Sequence, residues 1–360
     1  MKTQIKMHKT VNICLLLIAT VFLSSNVLAK GAELSKKVNK TFKVSKGQVL
    51  EIDNKFGEVN ISSWDQQEVQ LDIEIIVDQK NEDKAQKTLD RIEIEIKESS
   101  DLISISTSLG KDKNKSMNID EKNKMEINYT VKMPATMKLD LENQFGNITI
   151  DKLTEMAKIE VQFGSAKIGS LSSAKNELTF KFSDPVIIDE IGGGEIELKF
   201  SKLDLGKAGD LNLNSQMSNS KIGDAKQSEM KVSYGSLDVE SMKGLSMKSS
   251  MSTVKISELI DGGELDVQYG KLTIDKLRKE FKGLTIDSKF TPVTINVEEG
   301  AAFELDANTK MSKIHLPSGY EAKDESEYIN NEYFKGVIGE NGGSLPVMKI
   351  SNQFGNIEIK

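Results

Sequence analysis

The chain has 360 residues, enough for two or three domains, and 38% of them are hydrophobic but only 6% aromatic, which suits thin, repetitive cores better than one large one. A net charge of −7, with Arg91 and Arg278 as the only arginines, makes nucleic acid and anionic lipid poor partners for the surface as a whole and leaves little bidentate capture of phosphate or carboxylate. One cysteine, Cys14, and two histidines, His8 and His315, exclude disulfide staples and histidine or cysteine metal centres, so no cofactor and no metal ligand set is expected.

Residues 1–29 read as a secretory signal. Lys2, Lys6 and Lys9 precede an apolar run from Val11 to Leu23, and Val27-Leu28-Ala29 supplies a cleavage site. The run is short for a membrane span, and Cys14 lies inside it rather than after it, which argues against lipidation. Removing three lysines takes the net charge from −7 to about −10. No later segment is long and apolar enough to span a bilayer as a helix. Export to the periplasm or the outer cell surface is therefore expected.

Residues 30–40 read as a polar linker and residues 41–141 as a β-rich N-terminal cap domain. Within it, Gln48 to Asp53, Glu58 to Ile61, Glu68 to Val77, Ile92 to Lys97, Leu102 to Thr107 and Lys124 to Met133 alternate apolar and polar residues. Asn81 to Asp90 reads as its one helix, with Asn81 as cap, Glu82 and Asp83 in the first turn, and Ala85 and Leu89 on one face. Trp64 before Asp65 anchors a turn or binds ligand. Lys111 to Lys124 is charged and reads as a loop.

From residue 142 to 316 the chain is periodic. A bulky residue followed by a small one recurs at Phe145, Phe163, Phe182, Phe200, Met217, Tyr234, Met251, Tyr269, Phe290 and Met311, at steps of 18, 19, 18, 17, 17, 17, 18, 21 and 21 residues, and again at Phe354. Period-2 strands flank each copy. The fold class this predicts is all-β: a parallel β-solenoid (β-helix-like) of 17–21-residue repeats, preceded by a small β-rich cap domain with one helix. An antiparallel meander of hairpins is the alternative. Stacking in one phase places the bulky residues in an interior column, so Phe200→Ala would cost about 3–5 kcal/mol, and the small residue after each could take a positive φ. An exposed, sugar-stacking ladder is the competing reading. Residues 317–348 break the period and read as a looping excursion over the open end, with Tyr328, Tyr333 and Phe334 as candidate partner contacts. Residues 349–360 form a final repeat strand.

Thr41 to Val44, Ile52 to Val59, Trp64-Asp65 with Glu68-Val69, Ala85-Gln86 with Leu89 to Ile92, Asn128 to Val131 and Asn143 to Ile148 together resemble the exported putative-adhesin, DUF4097-type β-strand-repeat family of Bacteroidetes-like bacteria. The resemblance covers nearly the whole chain after the signal. It implies a strand-repeat fold and an adhesin-like role, and it brings no catalytic residues. The chain is thus expected to be an exported, non-enzymatic binding or scaffolding protein of the cell envelope, whose partner is an envelope or extracellular protein or glycan. Two alternatives remain. A polysaccharide-acting β-helix enzyme would use acids such as Asp184, Asp189, Glu190 and Glu195, or Asp261, Glu264 and Asp266. A periplasmic component of envelope signalling would need no such cluster.

Overall fold

The computed structural model describes residues 32–110, 123–316, 320–328, 331–339 and 343–360. The expected signal, residues 1–29, and most of the expected loop at 111–124 lie outside the described residues. Among the described residues the fold is nearly all-β, with one helix and a parallel β-solenoid of about nine turns after an N-terminal β-rich region.

The chain opens with β1 (Ala32–Lys43), β2 (Val49–Lys55), β3 (Val59–Trp64) and β4 (Glu68–Gln79), then α1 (Glu82–Asp90), β5 (Glu93–Glu98), β6 (Leu102–Ser108) and β7 (Asn123–Pro134). Asn81 caps α1 by accepting the Lys84 amide at 2.9 Å, and Ala85 and Leu89 bury its inner face against β1 and β4. Of the segment 30–40, expected as a linker, the described residues 32–40 instead lie in β1, which pairs antiparallel with β4 along its length. The alternation there was hidden because β1 is an edge strand. Lys36, Lys37, Lys40 and Lys43 blunt an edge that would otherwise template further pairing.

The coils in sequence order run from β8 (Lys138–Gln144) and β9 (Ile148–Leu153) through β10 (Ala157–Gln162), β11 (Ala166–Leu171) and β12 (Asn176–Lys181). Four long strands follow, β13 (Val186–Lys199), β14 (Lys202–Gln216), β15 (Asn219–Ser233) and β16 (Ser236–Ser250), each bending from one sheet into the other. Then come β17 (Thr253–Leu259), β18 (Gly262–Gln268), β19 (Lys271–Leu277), β20 (Gly283–Lys289) and β21 (Val293–Val297). One strand of each coil enters the bulky-residue corner and the next leaves it. Entering strands pair in parallel with entering strands (β8–β10–β12) and leaving with leaving (β9–β11–β13). The antiparallel meander is thereby excluded for this part of the chain.

The stack begins earlier than the periodicity does. β2 pairs in parallel with β8 and β3 with β9, so a first rung lies inside the segment expected as a separate cap. Its corner is Phe56-Gly57, a further copy of the motif. Between this rung and the next, the chain departs through β4 to β7, and that long insertion masks the period. The cap proper is β6 and β7 laid parallel on β2 and β3, with β5, β4 and β1 added antiparallel. Buried at this end, Thr107 Oγ1 lies 2.8 Å from Tyr129 Oη, and Asn54 Nδ2 donates to Asn143 Oδ1 at 3.0 Å. Burial pushes the Tyr129 phenol up to about 12. An unfolded tyrosine ionises near 10, so the folded state holds its proton longer. Tyr129 therefore stabilises the fold fully below about pH 10, and this contribution, roughly 2–3 kcal/mol, is lost as pH rises towards 12. Urea melts across that range should show the loss for the wild type, and a smaller one for Tyr129→Phe.

At the other end the order of the chain and the order of the rungs diverge. β22 (Phe303–Lys310) and β23 (Ile314–His315) do not stack on β20 and β21. The hairpin β24 (Tyr320–Tyr328) and β25 (Asn331–Ile338) follows, and then β26 (Val347–Gln353) and β27 (Ile357–Ile359) return to fill the gap. β26 lies in parallel between β20 and β22, and β27 between β21 and β23. β25 pairs antiparallel with β22 and β24 with β25, so much of the expected excursion is a hairpin along the last entering strand.

Alternation decides what fills the interior. In each coil the residues two and four before the corner point inwards, as do those three and five after it in most coils: Leu203 and Leu205 after Phe200, Leu237 and Val239 after Tyr234. The central coils are thin. Ser215, Ser220, Ser228 and Ser249 are buried, and the Ser228 and Ser249 hydroxyls meet no hydrogen-bond partner. Ser249 stacks between Val232 and Val267, so a valine already fits the column on both sides. Ser249→Val should raise stability by about 1 kcal/mol by removing an orphaned hydroxyl. A lower melting temperature would show that the hydroxyl has a partner.

Candidate functional site: an external aromatic and methionine ladder

The bulky residues, expected as an interior column, lie outside. Eleven of them are exposed, from 39% for Phe354 to 54% for Met311, while Phe56 is partly buried. The cause is the backbone. All twelve, Phe56 included, have φ between 48° and 62°, in the left-handed region. Simple alternation would turn them inwards, because they stand two residues after an inward side chain. The left-handed residue reverses that direction and makes the corner. The positive φ thus falls on the bulky residue and not on the small one after it.

The small residue has a different reason. A Cβ on Gly146 would lie 1.8 Å from the Gly57 carbonyl oxygen, and one on Gly164 1.9 Å from that of Gly146. Where serine takes the place, its hydroxyl joins the rungs: the Ser201 hydroxyl accepts from the Ser183 amide at 3.0 Å, and that of Ser218 from the Ser201 amide at 2.9 Å.

A bulky residue in the left-handed region costs about 1–2 kcal/mol, and the stack offsets this in two ways. The amide of every bulky residue before the last rung's Met311 donates to the carbonyl before the corner of the next rung, as from Phe145 to Gln162 at 2.9 Å and from Phe182 to Lys199 at 2.8 Å. The rings also stack. From Phe56 through Phe145, Phe163 and Phe182 to Phe200 the centroids are 4.8–5.2 Å apart with interplanar angles of 3–11°. Met217, Tyr234 and Met251 continue the line, and Tyr269, Phe290 and Phe354 stack again at 5.0 and 4.7 Å. Met311 closes it, one rung beyond Phe354. Neighbouring rings cover each other's faces and present their edges, so no sugar ring can stack on or between them within the aromatic runs.

Lysines stand beside the ladder. Lys181 and Lys199 precede Phe182 and Phe200 and reach back to Glu160 at 2.6 Å and Glu197 at 2.7 Å. The hydrogen bond that Lys181 donates to Glu160 raises the lysine pKa. At the first rung, Asp53 is raised by burial and by nearby Glu142.

The acids weighed for polysaccharide chemistry do not converge. Asp189 and Glu190 line a shallow depression with Asp204, Lys207 and Lys221, whereas Glu195 lines a separate one with Asp210 and Glu229. Lys221 pairs with Glu240 at 3.3 Å, Asp261 with Lys282 at 2.9 Å, and Asp266 accepts from Gln268 at 3.0 Å. Among the described residues no three acids, histidines or cysteines are placed to hold a metal ion. Tyr333 and Phe334 fall on β25 opposite Asn308 and Ala307. Both are half-buried, and Phe334 packs against the core. Tyr328 ends β24 opposite Asn331. The Trp64 indole donates to the Glu68 carbonyl at 2.8 Å, which ties the β3–β4 turn.

No family model matches the chain, and no curated protein does. Solved structures do. One, named a putative adhesin from Parabacteroides distasonis, is 13% identical, with 73% of this chain and 93% of that one covered and a TM-score of 0.36. Another, named a putative lipid binding protein from the same species, is 11% identical over 90% and 96%, with a TM-score of 0.31. A putative cell adhesion protein from Clostridium sporogenes is 10% identical over 91% and 99%, with a TM-score of 0.20. The structures similar to this chain thus include proteins named as putative adhesins.

Proposed function

We propose that the chain is an exported, non-enzymatic rod of the cell envelope that binds or scaffolds a partner along its ladder. One observation carries this reading: bulky apolar residues are held outside at every corner, in a backbone region where glycine or asparagine would cost less. A line of equivalent contacts gives strength by summation and needs no deep pocket. The basic and apolar N-terminus supports export. The scatter of the candidate acids over two separate shallow depressions disfavours the enzyme reading.

Asparagine tolerates the left-handed region, so it can remove the rings and keep the corners. A variant carrying Phe145→Asn, Phe163→Asn, Phe182→Asn and Phe200→Asn should keep the wild-type far-ultraviolet spectrum and lose most of its co-sedimentation with envelope fractions. Undiminished co-sedimentation of this folded variant rules the ladder out as the binding surface. Protease treatment of intact cells, followed by immunoblotting with a periplasmic lysis control, would then separate surface display from periplasmic residence.

A further inference from the structure

We infer that the partner of the ladder is a lipid bilayer surface, on which the rod lies lengthwise with its ring edges and methionines in the headgroup–acyl boundary. This rests on the binding reading above and goes further by naming the chemistry. Four features of the structure support it.

The first is shape. The ladder runs along the corner where the two sheets of the solenoid meet, so it is a ridge and not a groove. A second copy would offer an equally narrow, equally convex edge, and two ridges touch along a line. A bilayer deforms around a ridge. The second is straightness. Interplanar steps of only 3–11° from Phe56 to Phe200 keep five successive rings on one side of the molecule. Over twelve rungs the line is about 50 Å long at the rung spacing of a β-sheet, and about half of each side chain is free. That amounts to roughly 1,000 Å² of apolar surface, more than a monomer ordinarily leaves in water.

The third is composition. Phenylalanine supplies a wholly apolar face, methionine a flexible one, and tyrosine keeps its hydroxyl at headgroup level, a set that sits well at a membrane interface. The ladder contains no charged residue. The fourth is charge. The chain as a whole carries −7, yet the residues beside the ladder reverse the sign. Immediately before the bulky residues stand Lys55, Lys181, Lys199, Lys289 and Lys310, and no acid. Two residues after them stand Lys202, Lys271 and Lys313, against Glu58 and Asp184. These lysines can lay their stems along the apolar line and place their ammonium groups at phosphate level. The acids that partly compensate them, Asp53, Glu142, Glu160, Glu197, Asp266 and Asp287, stand three residues before the corner, further back along their strands than the lysines.

The test is flotation of the chain lacking residues 1–29, which retains every described residue and removes an apolar segment that could bind lipid by itself. Vesicles of phosphatidylcholine alone and of phosphatidylcholine with phosphatidylglycerol in equal parts are the probes. The expected result is binding to both, tighter on the mixed vesicles and weakened there by salt, with a loss of roughly tenfold or more in the four-asparagine variant. A second variant, Lys199→Gln with Lys202→Gln, should lower binding to the mixed vesicles only. Absence of flotation, or flotation unaffected by the four asparagines, overturns the inference. Should envelope fractions still bind through the ladder when these vesicles do not, the inference is overturned, the binding reading stands and the partner is an envelope protein or glycan. Should light scattering show a dimer that the asparagines dissolve, with no flotation, the partner is a second copy. Loss of both vesicle and envelope binding in the wild type ends both readings.

Discussion

Deletion of residues 347–360 should unravel the chain from Phe303 onwards while leaving the earlier coils folded. The deleted segment supplies β26 and β27, the rung lodged between the coil of β20 and β21 and the coil of β22 and β23. Met348, Ile350, Ile357 and Ile359 are each no more than 2% exposed. At about 1.5–3 kcal/mol for each buried side chain, their loss matches the whole stability of an ordinary domain, about 5–15 kcal/mol. Without them β22 and β23 have no solenoid partner, and the hairpin that pairs with β22 loses its footing. Limited proteolysis with mass spectrometry should return a resistant fragment ending near Val297, where the wild type is cut later or not at all. The bared edge of β20 should also make the truncated chain aggregate. A truncated chain as resistant as the wild type would show that the last coil holds without the inserted rung.

The second large effect separates two phenylalanines two residues apart. Phe180 is fully buried, whereas Phe182 is 47% exposed at a φ of 51°. Phe180→Ala should cost about 3–5 kcal/mol. Phe182→Gly should cost no more than about 2 kcal/mol: it loses stacking worth about 0.5–1.5 kcal/mol per ring pair, but it relieves a left-handed strain of about 1–2 kcal/mol. The same reasoning lowers the cost of Phe200→Ala from the 3–5 kcal/mol of an interior residue to below about 2 kcal/mol, since Phe200 is 50% exposed. Chemical denaturation of the three variants decides the matter. Equal losses at positions 180 and 182 would put the ladder back in the core.

The solenoid was legible because its spacing was: 17 to 21 residues between like corners allows one coil and little else. The direction of the bulky residue was not legible. Period-2 alternation reads the same way for any inward column, and in this coil Ile196, Leu198 and Phe200 continue one inward series until the left-handed backbone at Phe200 ends it. Nothing in the residue type announces this, because phenylalanine, tyrosine and methionine seldom adopt such a φ. The available hint was Asn54-Lys55-Phe56-Gly57 beside Asn143-Gln144-Phe145-Gly146, two copies that begin with the same buried asparagine. The rung order at the far end was also out of reach. Phe354 repeats Phe145 closely in sequence, but where a repeat docks depends on which edge is left open, and that is a property of the assembled stack.

The interleaved last rungs also restrict how such a molecule can change its length over evolutionary time. The rung of β26 and β27 is enclosed between two coils, and the first rung, β2 and β3, is covered by β6 and β7, so neither offers a free edge to a further repeat. Growth must therefore occur by duplication in the interior, where successive coils follow one another without interruption. The steps of 17 residues between Phe200, Met217, Tyr234 and Met251, the shortest in the chain, mark the stretch where one unit can be gained or lost with both ends untouched. In such a molecule the two end structures are fixed fittings, and the reach of the ridge is set by copy number between them.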